Sequence, residues 1–177
     1  LGRGSLPVWS PSGALIASVN LDEATESAWI QLMPIDGSPP VRLTPGFSCC
    51  WSPDGERLVF MDRPEEGGDT LDSGVFVIDV DGSNRRRLCA GLFPRWSPSG
   101  ESILVQRSTA ELDMQLVVLA QDGSGELLLA REASLGHWSP DGRRVAFQRG
   151  SEVFVIEADG SGERSLGSPP VPDRVKP

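Results

Sequence analysis

Apolar positions fall in short runs of five to seven residues rich in β-branched or large side chains, separated by turns of Gly, Pro, Asp and Ser. One set occupies residues 15–19, 57–61, 102–106 and 144–148, and a second occupies 29–35, 75–80, 115–120 and 152–157. Composition of this kind favours half-buried strands over helices. Shorter arms end at Leu43, Leu88, Leu129 and Leu166, and a further segment leads into each of four tryptophans. Together these predict four strands per unit, a to d, repeated four times.

The units are marked by Trp-Ser-Pro-Ser/Asp-Gly at 9–13, 51–55, 96–100 and 138–142, so the tryptophans stand 42, 45 and 42 residues apart. A period in the low forties means one supersecondary unit per repeat. Each copy also carries Asp-Gly, at 36–37, 81–82, 122–123 and 159–160. From each Asp to the next Trp the distance is 15, 15 and 16 residues, whereas from Trp forward to Asp it varies between 21 and 30. Length variation therefore sits inside the unit. Proline pre-sets the second position of the a–b turn and glycine takes its left-handed exit, while Asp-Gly suits the tight c–d hairpin. The tryptophan supplies a large apolar surface to pack against a neighbouring unit.

These features predict an all-β chain: a β-propeller of four four-stranded antiparallel blades. The sequence resembles the WD-repeat-like propeller repeat of the TolB family, whose pattern is Trp-Ser-Pro-Asp-Gly, two apolar strands, Asp-x-Asp-Gly and Arg-Arg-Leu-Thr. Local matches are clearest at 138–147, 77–88 and 41–44, and the resemblance covers residues 6–167. The expected propeller domain is 1–167, with blades at about 6–44, 45–89, 90–130 and 131–167, followed by a Pro-rich tail or linker at 168–177. TolB-like propellers generally have six or more blades, so four blades are expected to be an arc of a larger ring. A four-bladed ring closed by apolar packing is the alternative. In either case no spare strand remains to join the two ends within one blade.

Charge narrows the choice of partner. The formal net charge is −9, and Lys176 is the only lysine among 16 basic residues. A nucleic acid would meet net repulsion, and no basic stripe interleaved with aromatics is present. Apolar runs are too short for a membrane helix, so no membrane insertion is expected. No signal peptide is visible, but the chain opens on Leu1, so its absence is silent about compartment. Cys49 and Cys50 are adjacent and Cys89 is a blade strand away, so three free, partly buried thiols are expected.

Two candidate sites follow. The b–c loops and d–a connections open on one face of a propeller, and there the sequence places eleven acids against three arginines, nearly the whole net charge. Asp22, Glu23 and Glu26 come from the first blade, and Glu65, Glu66, Asp69 and Asp72 from the longest loop. Variable acidic loops on a rigid scaffold are expected to dock a basic protein or peptide. Secondly, the residue before each Trp is Val8, Cys50, Arg95 or His137, on the innermost strand. Cys50, Arg95 and His137 are therefore expected to line the central channel.

Catalysis finds no support in the residues. There is no Gly-x-Ser-x-Gly elbow, His137 is the only histidine, and no lysine lies within the blades. Asp79-Val-Asp81-Gly82-Ser83 lacks the further ligands of a calcium loop. No cofactor or metal is expected. The resemblance implies a non-catalytic protein-binding scaffold working outside the bacterial cytoplasm, in the periplasm. It also leaves open a substrate-gating propeller of a larger prolyl oligopeptidase-like serine peptidase, whose catalytic domain would lie elsewhere.

Overall fold

A computed structural model describes residues 4–22, 27–62, 73–109 and 113–168. Among these residues all regular structure is β. Strands β1 (Gly4–Trp9), β2 (Leu15–Asp22), β3 (Ser27–Pro34) and β4 (Val41–Pro45) form the first antiparallel sheet. The second contains β5 (Phe47–Trp51), β6 (Arg57–Asp62), β7 (Gly74–Asp79) and β8 (Arg86–Ala90). The third contains β9 (Leu92–Trp96), β10 (Ser102–Ser108), β11 (Met114–Ala120) and β12 (Glu126–Arg131). The fourth contains β13 (Ser134–Trp138), β14 (Arg144–Arg149), β15 (Glu152–Glu157) and β16 (Arg164–Gly167). Each sheet uses four consecutive strands in simple meander order, so the predicted strands a to d are present in every blade and no strand is exchanged between blades. Strand b runs one to three residues beyond its predicted end in every blade, and those extra residues carry the charges discussed below.

Turn chemistry explains why the meander forms. In the second blade Gly55 N–H donates to the Ser52 carbonyl at 2.9 Å and takes φ +73°, a conformation glycine adopts without steric cost. Ser52 Oγ accepts the Arg57 amide across the same turn, and Asp54 accepts both the Ser52 hydroxyl and the Glu56 amide. Ser10, Ser97 and Ser139 repeat the serine's role towards Leu15, Ser102 and Arg144. At the opposite hairpin, Asp36, Asp81, Asp122 and Asp159 each accept the amide two residues on, at 2.8–2.9 Å. At Asp81, Asp122 and Asp159 the hydroxyl of the serine two residues on and then its amide, and at Asp36 the Ser38 amide and then its hydroxyl, hold the carboxyl below the usual Asp range.

The core lies between blades and not within one. Ala17, Val19, Ile30 and Leu32 of the first sheet meet Trp51, Leu58, Phe60 and Ile78 of the second, all buried. Val59, Val75 and Val77 on the other face of the second sheet meet Trp96, Ile103, Val105 and Val117 of the third. Leu104 and Leu116 then meet Val145, Phe147 and Ile156 of the fourth. Alternation along each strand sends successive side chains to opposite neighbours, so a middle strand is apolar on both faces. Among the described residues the main inter-sheet contacts run first to second, second to third and third to fourth, and none of them joins the fourth to the first. The blades stand as an open arc.

Candidate functional site

Two ends of the arc can be told apart by hydrogen bonds. The d–a connections present Gly46, Gly91 and Ala133, whose amides donate to the carbonyls of Ala28, Ser73 and Met114 at the start of strand c, at 2.9–3.0 Å. The b–c and d–a connections therefore share one end. At the other end, the amides of Ile35, Val80, Gln121 and Ala158 donate to Ala14, Glu56, Glu101 and Arg143 of the a–b turns. Asp22, the described member of the predicted acidic face, closes β2 at the first end.

Of those acids, Glu23, Glu26, Glu65, Glu66, Asp69 and Asp72 lie outside the described residues. Asp22 is described. It pairs with Arg42 at 3.1 Å, and the guanidinium lies 3.8 Å from the centre of the Trp29 ring. With Asn20, Gln31 and Pro40 these side chains border a cavity of about 260 Å³ on the outer face of the first blade.

The same device recurs in each blade, and sequence reading missed it. Asp62 pairs with Arg85 beneath a contact with the Phe76 ring, Arg107 pairs with Glu126, and Arg149 pairs with Glu163 above Phe154. Every pair bridges the end of strand b and the d arm, across strand c. In the first two blades the acid is on b and the arginine on d; in the last two the signs are exchanged. The signal lay in the sequence as a charge eleven residues after the tryptophan in three blades, at Asp62, Arg107 and Arg149. These partly exposed pairs contribute up to about 1 kcal/mol each. They remove acids and arginines in equal number, so they leave the surplus of acid on the loops unchanged.

The innermost strands hold the second candidate. Val8, Cys50, Arg95 and His137 pair in register with Ala17, Val59, Leu104 and Ala146. Two residues earlier each inner strand breaks register, and in three blades the backbone there is left-handed: Ser48 at φ 53°, Phe93 at 49° and Leu135 at 54°. A large apolar residue in that conformation is uncommon and needs outside support. Met61 Sδ supplies it to the Phe93 amide, and Gln106 Oε1 to the Leu135 amide, both at 3.0 Å. Phe93 and Leu135 stay about half exposed. With Arg95 and His137 they line a small cavity of about 50 Å³ between the third and fourth blades.

Arg95 links the three predicted channel residues electrostatically. Burial first, and then the Arg95 charge, lowers the His137 pKa, which keeps the imidazole neutral at physiological pH. Burial raises the Cys50 thiol, opposed by the Trp96 amide and by Arg95. Burial also pushes Cys49 up to about 12, and all three cysteines are free thiols, as expected. Protonated thiols are poor nucleophiles. Among the described residues no cluster of three or more His, Cys, Asp or Glu is placed to hold a metal ion.

The marker tryptophans also have a geometry that spacing alone did not reveal. Trp51 Nε1–H donates to the Val8 carbonyl of the preceding blade at 3.1 Å, and Trp138 Nε1–H to the Arg95 carbonyl at 3.3 Å. Trp96 is as buried as Trp51, yet its indole N–H has no partner. Trp9 is 60% exposed on the outer face of the first blade.

No protein-family model and no curated protein matches the chain. Solved structures do. A TolB from Agrobacterium tumefaciens is 23% identical with a TM-score of 0.75, over 93% of this chain and 66% of that one. TolB from Acinetobacter baumannii is 16% identical with a TM-score of 0.75, over 96% and 45%. The β-propeller domain of the Trilobed protease from Pyrococcus furiosus, which has an open velcro topology, is 15% identical with a TM-score of 0.69, over 94% and 58%. The chain thus spans about two thirds or less of these proteins' lengths. Their likeness establishes the fold: four blades of TolB-like β-propeller. No helix among the described residues is long and apolar enough to cross a membrane.

Proposed function

We propose that the chain is a non-catalytic protein-binding scaffold that captures a basic protein or peptide segment on its acidic loop end. The observation that carries this reading is the gathering of b–c and d–a connections at one end by the amides of Gly46, Gly91 and Ala133. Rigid sheets beneath, tied by the b–d ion pairs, offer a platform on which loops of variable length can recognise a partner. The acid surplus speeds and orients encounter with a positive segment. Arg95 and His137, close to the axis, supply a secondary polar contact. The resemblance to TolB supports a working place outside the cytoplasm, in a bacterial periplasm.

The test compares the protein with a variant carrying Glu65→Lys, Glu66→Lys, Asp69→Lys and Asp72→Lys. Both are titrated by fluorescence anisotropy against arrayed peptides of equal length and graded charge. Basic peptides should bind the parent protein and lose at least about tenfold in affinity to the variant, a difference that shrinks as added salt screens the charges. Equal affinity for both proteins removes the acidic-loop reading.

A second reading has one observation in its favour. No strand is exchanged between blades, and the P. furiosus protease propeller is described as open. On this reading the blades gate access to the catalytic domain of a larger serine peptidase. Intact mass of the native protein from its source, set against 19.0 kDa, discriminates between the two.

A further inference from the structure

One cavity opens on the inner edge of the arc, where Arg95 and His137 meet two exposed apolar side chains. Strands a of neighbouring blades lie against one another, β1 with β5, β5 with β9 and β9 with β13. The d strands make no such main contact among the described residues, so the a strands converge on the axis. The cavity sits between the third and fourth blades, internal to the arc, and so does not depend on what adjoins the first or the fourth. Buried Leu104 and Leu116 line its wall. A Cβ on Gly136 would lie 2.8 Å from Leu104 and 2.9 Å from Leu116, so only glycine lets β13 approach this closely.

Two kinds of side chain surround the opening. Phe93 and Leu135 are 48% and 58% exposed, on left-handed backbone at φ 49° and 54°. Strained backbone of this kind persists where the surroundings fix it, and it clusters at ligand sites. In the second blade the equivalent left-handed residue is Ser48, so the apolar pair belongs to this cavity alone. Arg95 and His137 supply the polar part. Among the described residues the Arg95 guanidinium and the His137 imidazole have no hydrogen-bond or ion-pair partner, whereas Arg42, Arg85, Arg107 and Arg149 each hold a carboxylate. After burial, the Arg95 charge is the next influence on the His137 pKa, which places the guanidinium beside the ring.

We infer that this cavity binds a single carboxylate carried on a short apolar body. The Arg95 guanidinium and one His137 N–H hold the two oxygens, and Phe93 and Leu135 flank the body. A cavity of about 50 Å³ has room for roughly four water-sized groups, which a carboxylate and its first two carbons nearly fill. The rest of the ligand then lies on the exposed phenyl and leucine surfaces. A net charge of −9 opposes a second anionic group, which disfavours phosphate and polyanions. The site takes the opposite charge from the acidic loops and stands whether or not they capture a basic segment.

The chain's only histidine gives one set of imidazole signals, so proton–carbon correlation NMR of the 177-residue protein reads the site directly. At neutral pH, 3-phenylpropionate should move the His137 signals saturably, with Kd of about millimolar order for so small a ligand. The uncharged 3-phenylpropionamide should bind at least about tenfold more weakly, and so should inorganic phosphate. Arg95→Gln should cost at least about tenfold in affinity for the acid. Phe93→Asn, which tolerates the left-handed backbone, should cost at least about threefold, with Leu135→Asn as a second variant. Far-UV circular dichroism should not change, because these side chains are exposed. N-acetyl-Ala-Phe and its C-terminal amide separate two sources of the same chemistry. Tighter binding of this peptide acid than of phenylpropionate identifies a chain terminus as the ligand, and weaker binding a free organic acid. Unmoved His137 signals overturn the inference. So does equal binding of acid and amide, phosphate binding as tight as the acid, or parental affinity in Arg95→Gln or in both asparagine variants.

Discussion

Replacing Trp51 with phenylalanine and, in a second variant, Trp96 with phenylalanine isolates one hydrogen bond. The two tryptophans occupy the same repeat position, are 5% and 6% exposed, and lose the same atoms. Transfer and cavity terms therefore nearly cancel in the comparison. What differs is the indole N–H, together with the Arg57 guanidinium 4.9 Å from the Trp96 ring centre, over which a phenylalanine ring still offers a π face. At Trp51 the exchange removes a 3.1 Å bond and strands the Val8 carbonyl between blades, which costs about 1–3 kcal/mol beyond the lost ring area. At Trp96 it removes a buried donor that has no partner, which relieves a desolvation penalty of comparable size. Trp51→Phe should therefore be the less stable variant by about 2 kcal/mol or more. Urea unfolding followed by far-UV circular dichroism, with a shared slope for the three proteins, reads this as a separation of midpoints. An equal loss in both variants, or a larger loss at Trp96, would refute the reasoning from indole hydrogen bonding.

Three further outcomes are expected. Gly91 has φ +154°, and a Cβ placed there would lie 2.3 Å from Val105 Cγ1, so Gly91→Ala should lower thermal stability by about 1–3 kcal/mol; an unchanged melting temperature would contradict the close approach. Cys49 titrates near 9.0 unfolded and about 12 folded, so between those values the folded state holds more protons than the unfolded one. Stability is then complete below pH 9.0 and falls as pH rises towards 12, and Cys49→Ser should flatten that alkaline limb in urea midpoints measured against pH. Asp54 runs the opposite way. The Ser52 hydroxyl, the Glu56 amide and Arg57 hold its pKa below 3.8, so its contribution is present above 3.8 and lost as pH falls through the folded value. Asp54→Asn should reduce the acid sensitivity of the urea midpoint below that pH.

The blade unit was legible in the chain because its information is local. Proline and glycine in the a–b turn, Asp-Gly in the c–d hairpin and β-branched runs between them act within a dozen residues, and four copies repeat the message. Free thiols followed equally from the adjacency of Cys49 and Cys50. The inner-strand residues Arg95 and His137 were placed by the period alone, since equivalent positions of a repeat occupy equivalent places.

Relations between blades required the tertiary structure. Arg85, Arg86 and Arg87 look like one basic run on an outer strand, yet Arg85 turns back to Asp62 and Phe76, while Arg86 reaches the turn of the next blade. The exchange of sign between Asp62–Arg85 and Arg107–Glu126 preserves the pair and erases any single-residue pattern. Left-handed backbone at Phe93 and Leu135 is supported by side chains of the preceding blade, so no local rule announces it. The period identified four equivalent tryptophans but not their unlike fates. Trp51 and Trp138 bond a carbonyl, Trp96 is buried without one, and Trp9 stands open, because an indole's partner depends on what the neighbouring blade brings to it. Local sequence sets the strand and the turn, whereas contact across a face depends on residues some forty positions away, whose placement exists only once the blades have packed.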